Sequence, residues 1–82
     1  MILRDAVIGE KYIITKINNA SDVKKRLYSI GIVEGVRVAV IRKAPLGDPI
    51  ELKIRDFYLA IRSVDAMKIE VERYGKSSSF NR

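Results

Sequence analysis

The chain has 82 residues, no cysteine, histidine or tryptophan, and a formal net charge of +6. This length fits one domain with a modest core, and the composition excludes disulfides, thiolate metal sites and chemistry that needs an imidazole. Three of the 16 basic residues lie in the last ten positions, so residues 1–72 are only mildly basic. We therefore predict a non-enzymatic protein without a cofactor or metal site, for which nucleic acid is not the expected partner.

The N-terminal part predicts a strand followed by a short helix. Residues 10–17 (EKYIITKI) are rich in β-branched and aromatic side chains, which is typical of a strand, and two asparagines follow. Ser21 has the character of an N-cap, and Val23, Leu27 and Ile30 recur at helical spacing. A glycine follows this apolar stripe, so a helix of about ten residues is expected to end there.

The rest of the chain predicts four more strands. They are VRVAV at 36–40, IELKIR at 50–55, YLAIR at 58–62 and KIEVE at 68–72, with one turn of 3₁₀ helix at 63–66. The period-two alternation of the first two predicts one buried face and one outward face, with Arg37, Lys53 and Arg55 outward. The strand residues predicted for the core are the valines, Ile50, Leu52, Ile54, Leu59, Ile61, Ile69 and Val71. The loop APLGDP reverses the chain before the second of these strands, and Asp56-Phe57 makes a tighter turn before the third. Five short strands and one inserted helix predict a small, mainly β domain, closed or partly closed as a barrel.

The hydropathy of the chain and its early charges favour a soluble cytoplasmic protein. No apolar run reaches the roughly 18 residues that a membrane span needs, and charges come too early for a signal peptide. No membrane insertion is expected.

Residues 73–82 (RYGKSSSFNR) are rich in Gly and Ser and are expected to form a disordered tail.

The loop between the second and third strands has three interpretations. A nucleotide site is rejected, because the loop lacks the two spaced glycines and the final Lys-Ser or Lys-Thr of a P-loop, and because a strand follows it instead of a helix. An Fe(II) site at Asp48 and Glu51 is disfavoured, because such sites normally recruit imidazole and none exists here. Pro45 and Leu46 either present apolar surface to a partner or fold back over the barrel, and the sequence does not decide between these two.

The helix carries a second candidate contact surface. Lys24, Lys25 and Arg26 fall off the apolar stripe, so they form either an ordinary solvated face or a contact with an acidic partner. Tyr28 beside them is either a contact residue or a cover over the end of the core. The candidate partner-binding residues are therefore Lys25, Arg26, Tyr28, Pro45, Leu46 and Asp48.

The order of these motifs resembles the FeoA family of bacterial ferrous-iron transport accessory proteins. The likeness covers residues 1–72 and excludes the tail. It departs at Glu34-Gly35, where the family often has Pro-Gly, and at Asp56, where it commonly has Gly. Aspartate adopts the left-handed conformation more readily than most residues, so Asp56 is expected to take it in this turn. The matching positions are Leu3, Gly9, Ile14, Ile17, Arg26-Leu27, Ile30-Gly31-Ile32, Gly35, Ala44 to Ile50, Leu59 to Arg62, Ala66 and Ile69-Glu70-Val71.

This resemblance implies an SH3-like barrel of about five strands and a partner, the cytoplasmic part of a FeoB-type Fe(II) transporter. Two alternatives stay open: a small basic nucleic-acid-binding barrel, and an iron-responsive module like the C-terminal domain of DtxR-type repressors. Self-association through an apolar strand edge or the Tyr28 region is also left open.

Overall fold

The computed structural model describes residues 1–18 and 21–74. The predicted helix and five strands are all present, with small shifts at their ends, and residues 63–66 form an α-helical turn where 3₁₀ helix was expected. A 3₁₀ turn at Leu3–Asp5, which the sequence did not predict, opens the chain. In chain order the remaining elements are β1 (Lys11–Ile17), α1 (Ser21–Ser29), β2 (Arg37–Lys43), β3 (Ile50–Ile54), β4 (Phe57–Ile61), α2 (Ser63–Ala66) and β5 (Ile69–Arg73).

The five strands form one antiparallel sheet in the order β4-β3-β2-β1-β5. The register shifts by one residue in β1, between Ile14 and Lys16, and in β2, between Val40 and Arg42. Such bulges bend a strand and increase its twist, which helps five short strands to wrap around one core. The fold is therefore mainly β, as expected, and the sheet is compact and not closed.

The two edges of this sheet differ. On the outer edge of β5, Ile2 forms a β-bridge with Glu70, and the Val71 N–H donates to the Met1 carbonyl at 2.7 Å. The Met1 amino group donates in turn to the Val71 carbonyl at 3.1 Å. Among the residues that the structure describes, no backbone segment covers the outer edge of β4 in the same way.

Alternate side chains of the strands meet in one core, as the period-two patterns predicted. Leu59, which was expected in the core, is only partly buried and packs against it. Tyr12 is fully buried, and its hydroxyl accepts a hydrogen bond from the Val7 N–H at 2.9 Å, which satisfies its polar end. The larger buried side chains are Leu3, Tyr12, Ile14, Ile17, Leu27, Ile32, Val36, Val38, Val40, Ile50, Leu52, Ile54, Ile61, Ile69 and Val71.

The predicted apolar stripe of α1 is wrong at its last position. Ile30 is 41% exposed, whereas Ile32 is fully buried. The reason is the way the helix ends: the Ile32 N–H donates to the Leu27 carbonyl, the Gly31 N–H donates to the Tyr28 carbonyl, and Gly31 has a φ of +95°. This Schellman ending turns the chain one residue after Ile30 and brings Ile32 into the core instead.

Two details at the β3–β4 turn and at the C-terminus also differ from expectation. The residue with a left-handed conformation is Arg55, at a φ of 53°, and not Asp56. At the other end, Arg73 belongs to β5, so this strand ends one residue after its predicted end at residue 72, and the Tyr74 N–H donates to the Lys11 carbonyl. The remainder of the expected tail, residues 75–82, lies outside the described residues, and its disorder stays a prediction.

Candidate docking surface

Tyr28 lies on the surface of α1 and is held there by its neighbours. Its ring is 43% exposed, so it does not act mainly as a cover over the core. Its hydroxyl donates to the Glu34 carboxylate, while the Lys24 ammonium lies 3.7 Å from that carboxylate and 5.7 Å from the Tyr28 ring centre. The hydrogen bond raises the pKa of Tyr28 and lowers the pKa of Glu34, because it favours the neutral phenol and the charged carboxylate.

Arg26 has a structural contact that sequence reasoning missed. Its guanidinium Nη2 donates to Asp65 Oδ1 at 2.9 Å. Asp65, on α2, is 6% exposed and is the one buried charged side chain among the described residues. An almost buried carboxylate needs such a partner, so Arg26 holds α1 against α2 as well as offering charge at the surface. Lys25, next to it, is exposed.

The β2–β3 loop presents Leu46 at its tip. The Gly47 N–H donates to the Ala44 carbonyl, and Gly47 takes a φ of 81° that glycine adopts easily. Leu46 is 96% exposed and Pro45 is exposed beside it. This geometry excludes the interpretation in which Leu46 folds back over the barrel, because Leu46 stands away from the body; its contact with a partner stays a prediction.

Asp48 ties this loop to α2. Its Oδ1 accepts a hydrogen bond from the Ser63 N–H, the first amide of α2, at 2.9 Å. The Asp48 side chain therefore caps a helix end that no side chain at the preceding residue caps. Since Arg26 binds Asp65 two residues further on, α2 connects α1 to the loop and brings the two halves of the predicted surface together.

α2 adds apolar residues that the sequence analysis did not nominate. Val64 is 50% exposed and Met67, directly after the helix, is 47% exposed. A four-residue segment gives too little periodicity to predict which side chains face outward. We call the whole set, Lys25, Arg26, Tyr28, Pro45, Leu46, Asp48, Val64 and Met67, the α-loop surface.

The acidic residues near the loop are engaged by protein groups. Asp48 accepts from Ser63, and the Glu51 carboxylate lies 2.9 Å from the Arg42 guanidinium. Within residues 1–18 and 21–74 no three Asp or Glu side chains come together in a way that could hold a metal ion. The geometry of Asp48 and Glu51 therefore favours structural roles for both.

A basic groove lies on the outer face of the sheet. Lys11, Arg37, Lys53 and Arg55 line it together with Tyr74, over a volume of about 360 Å³, and no acidic side chain is among its lining residues. The Arg37 guanidinium lies 4.3 Å from the centre of the Tyr74 ring. Strand alternation predicted that Arg37, Lys53 and Arg55 face outward. The strand register brings Lys11, Arg37 and Lys53 together, and Arg55 joins them from the β3–β4 turn.

Comparison with known proteins matches most of this chain to one protein family. The FeoA domain model matches residues 1–73. A Porphyromonas gingivalis protein, the Fe(2+) transport protein A/Fe(2+) transporter FeoB fusion protein, is 35% identical over 72 residues. That match covers 88% of this chain and 8% of the fusion protein, so the chain spans only a small part of this relative's length.

Solved structures agree with the family model. A FeoA-like protein from Clostridium acetobutylicum is 31% identical, with a TM-score of 0.83 over 98% of this chain and 93% of its own. Stenotrophomonas maltophilia FeoA, a prokaryotic SH3 domain protein solved in complex with zinc, has a TM-score of 0.75 at 24% identity, with 88% of this chain and 89% of its own covered. The latter likeness confirms the SH3-like fold and nothing beyond the fold.

None of the helices described, at residues 1–18 and 21–74, has the length and apolar character needed to cross a membrane.

Proposed function

Because the chain belongs to the FeoA family, we propose that it is a non-enzymatic, cytoplasmic accessory module of ferrous iron uptake that binds the cytoplasmic part of a FeoB-type transporter. One observation carries this proposal: in the P. gingivalis relative, a domain similar to this chain is part of the same polypeptide as a FeoB transporter. A covalent link keeps two domains at a high effective concentration. Where the two domains are not fused, a binding surface is needed to achieve the same association.

The α-loop surface is our candidate for that binding surface. Its apolar side chains, Leu46, Val64 and Met67, are exposed on a frame held by the contacts from Arg26 and Asp48 to α2. Complete burial of one such side chain contributes roughly 1.5–3 kcal/mol. Lys25 adds a charge that favours an acidic partner, mainly through the association rate. A surface with only three exposed apolar side chains supports a weak and reversible complex.

Calorimetry with the cytoplasmic domain of the transporter tests this surface. The variant Lys25→Glu/Leu46→Ala changes two exposed side chains and spares Arg26, whose loss would also disturb folding. We expect at least about tenfold weaker binding. The control Lys53→Glu/Ile8→Ala makes the same kinds of change on exposed residues elsewhere. Equal affinities for the two double variants would reject the α-loop surface.

The basic groove favours nucleic-acid binding as a second candidate function. Four cations beside an aromatic ring fit a phosphate backbone with a stacked base. If several phosphates are bound, affinity for mixed single-stranded DNA or RNA falls steeply with salt. Lys53→Glu should then abolish binding, whereas Lys25→Glu/Leu46→Ala should not. Deleting residues 75–82 is the further control, because loss of binding in that variant alone would assign it to the basic tail.

An iron-responsive module is the third candidate, and no contact described above favours it. Anaerobic titration with Fe(II) or Mn(II) tests it through the melting temperature, since a ligand that binds only the folded state stabilises that state. A melting temperature that stays constant would remove this candidate.

A further inference from the structure

The outer edge of β4 has backbone groups available for pairing with another strand. β3 and β4 pair with Ile54 opposite Phe57 and Leu52 opposite Leu59. In a two-residue hairpin the residues that flank the turn exchange both of their hydrogen bonds, and every second pair does the same. The N–H and C=O groups of Tyr58 and Ala60 therefore point away from β3. Among the described residues, none forms a backbone hydrogen bond to these groups from the outer side.

This edge is complementary to itself. When a second copy of β4 is laid antiparallel with the twofold axis at Leu59, each Tyr58 lies opposite Ala60 of the second copy. Both residues have outward backbone groups, so the pair forms regular hydrogen bonds on both sides of the axis. In the same register Asp56, in the turn before β4, comes near Arg62 of the second copy, which directly follows β4. Both are exposed, and neither has an ion-pair partner among the described residues.

The two neighbouring registers lack these features. With the axis at Tyr58, two bulky tyrosines face each other and Asp56 lies opposite Ala60. With the axis at Ala60, Arg62 lies opposite Tyr58 and Asp56 has no cation opposite it. Only the register centred on Leu59 combines a large residue against a small one with opposite charges in facing positions.

A groove beside Ala60 has room for the tyrosine of the second copy. It has a volume of about 440 Å³ and is lined by Arg42, Pro49 and Glu51, among others, with Ala60 on the side of the sheet edge. One row across the sheet runs through Arg42 on β2, Glu51 on β3 and Ala60 on β4. In the register centred on Leu59, the next residue in that row is Tyr58 of the second copy. Tyr58 is 57% exposed, with the Lys53 ammonium 5.6 Å from its ring centre.

We propose that this chain forms a symmetric dimer by antiparallel β4–β4 pairing centred on Leu59, with each Tyr58 ring in the groove beside Ala60 of the other copy. The interface uses only a five-residue strand, so it is small compared with the roughly 1,200 Å² at which standard interfaces begin. The dimer is therefore weak, with a Kd in the range of about 0.01–1 mM.

Sedimentation velocity from about 10 μM to about 1 mM tests the dimer in the full chain. We expect the mass to rise with concentration from 9.3 kDa towards twice that value. Ala60→Pro removes one outward N–H and blocks the edge, and proline is tolerated on an edge strand when its nitrogen faces outward. This variant should weaken dimerisation at least tenfold. Tyr28→Ser is the matched control, because it removes an exposed tyrosine elsewhere and should leave dimerisation unchanged.

A second measurement uses the unaltered chain and does not depend on how the variants fold. In a mixture of isotope-labelled and unlabelled chains, an intermolecular NOE should connect the Tyr58 ring with the Ala60 methyl group. A chain that stays monomeric at the highest concentration, an unchanged Kd for Ala60→Pro in its folded form, or a missing NOE would each overturn the proposal. Amide protection of Tyr58 and Ala60 that appears only when the transporter domain is added would instead assign the edge to a strand of that partner.

Discussion

Replacing Arg26 with alanine removes the hydrogen-bond partner of the Asp65 carboxylate. In the folded chain the two groups are 2.9 Å apart, and the exposed fractions of their side chains are 55% for Arg26 and 9% for Asp65. The variant keeps the carboxylate in its almost buried place without the guanidinium. We therefore expect a loss of stability, and α2 should be the first segment to loosen.

The expected size of this loss lies between two limits. Removing one partner of a fully buried ion pair costs about 3–5 kcal/mol, whereas an exposed pair contributes about 0–1 kcal/mol. Because Asp65 is buried and Arg26 is half exposed, we expect about 2 kcal/mol. For a domain of this size each kcal/mol changes the melting temperature by about 4–8 °C, so the Tm should fall by about 8–16 °C.

Thermal and urea unfolding of a double-mutant cycle measures the loss. Lys25→Ala is the control, since it removes a neighbouring exposed charge and should change stability by less than about 0.5 kcal/mol. In the Asp65→Asn background, Arg26→Ala should cost less than about 1 kcal/mol, because no buried charge is left unpaired. If Arg26→Ala and Lys25→Ala melt at the same temperature, the reasoning about the buried carboxylate is refuted.

Four further predictions concern the turn after α1, the core and, in two cases, the surface hydrogen bond. Gly31→Ala should destabilise the fold by about 1–2 kcal/mol in urea unfolding, because alanine is strained at a φ of +95°. The new Cβ would lie at an ordinary 3.5 Å from Phe57, so the strain comes from the backbone. An unchanged unfolding midpoint would contradict this expectation. Leu52→Ala should cost about 2–5 kcal/mol in the same assay, as expected for a fully buried leucine, and a cost below about 1 kcal/mol would refute its place in the core. Glu34→Gln should lower the raised pKa of Tyr28 towards 10.0 in an NMR titration of its ring, and an unchanged pKa would exclude Glu34 as the cause. The Tyr28–Glu34 contact should stabilise the fold from above pH 4.5 to below pH 10, and this contribution should fade as the pH falls through the lowered Glu34 pKa or rises through the raised Tyr28 pKa.

Local patterns were enough to predict most of the fold. Period-two alternation in VRVAV and IELKIR identified strands and their buried faces. In a sheet with one buried face, the alternate apolar residues of a strand are the ones that face the core. The same approach misplaced Ile30, because helical spacing says nothing about where the chain turns. That turn depends on the hydrogen bonds around Gly31. Likewise, the sequence did not indicate that the Arg55 backbone, next to Asp56, takes the left-handed conformation.

The candidate surface was harder to predict, because it depends on contacts between distant residues. Arg26 and Asp65 are 39 positions apart and Asp48 and Ser63 are 15 positions apart, so no local pattern links them. The exposure of Leu46 follows from the shape of its loop and not from its residue type. In the basic groove, Lys11, Arg37 and Lys53 lie on three different strands, so their meeting depends on the register of those strands.

The backbone bonds that Met1 and Ile2 make along β5 limit how this sheet can grow. Because Met1 and Ile2 occupy part of that side, β4 offers the more continuous free edge among the described residues, and the proposed twofold contact uses this edge in both molecules at once. Strand addition along β4 then ends at two chains, which helps to keep a small apolar sheet from growing into filaments.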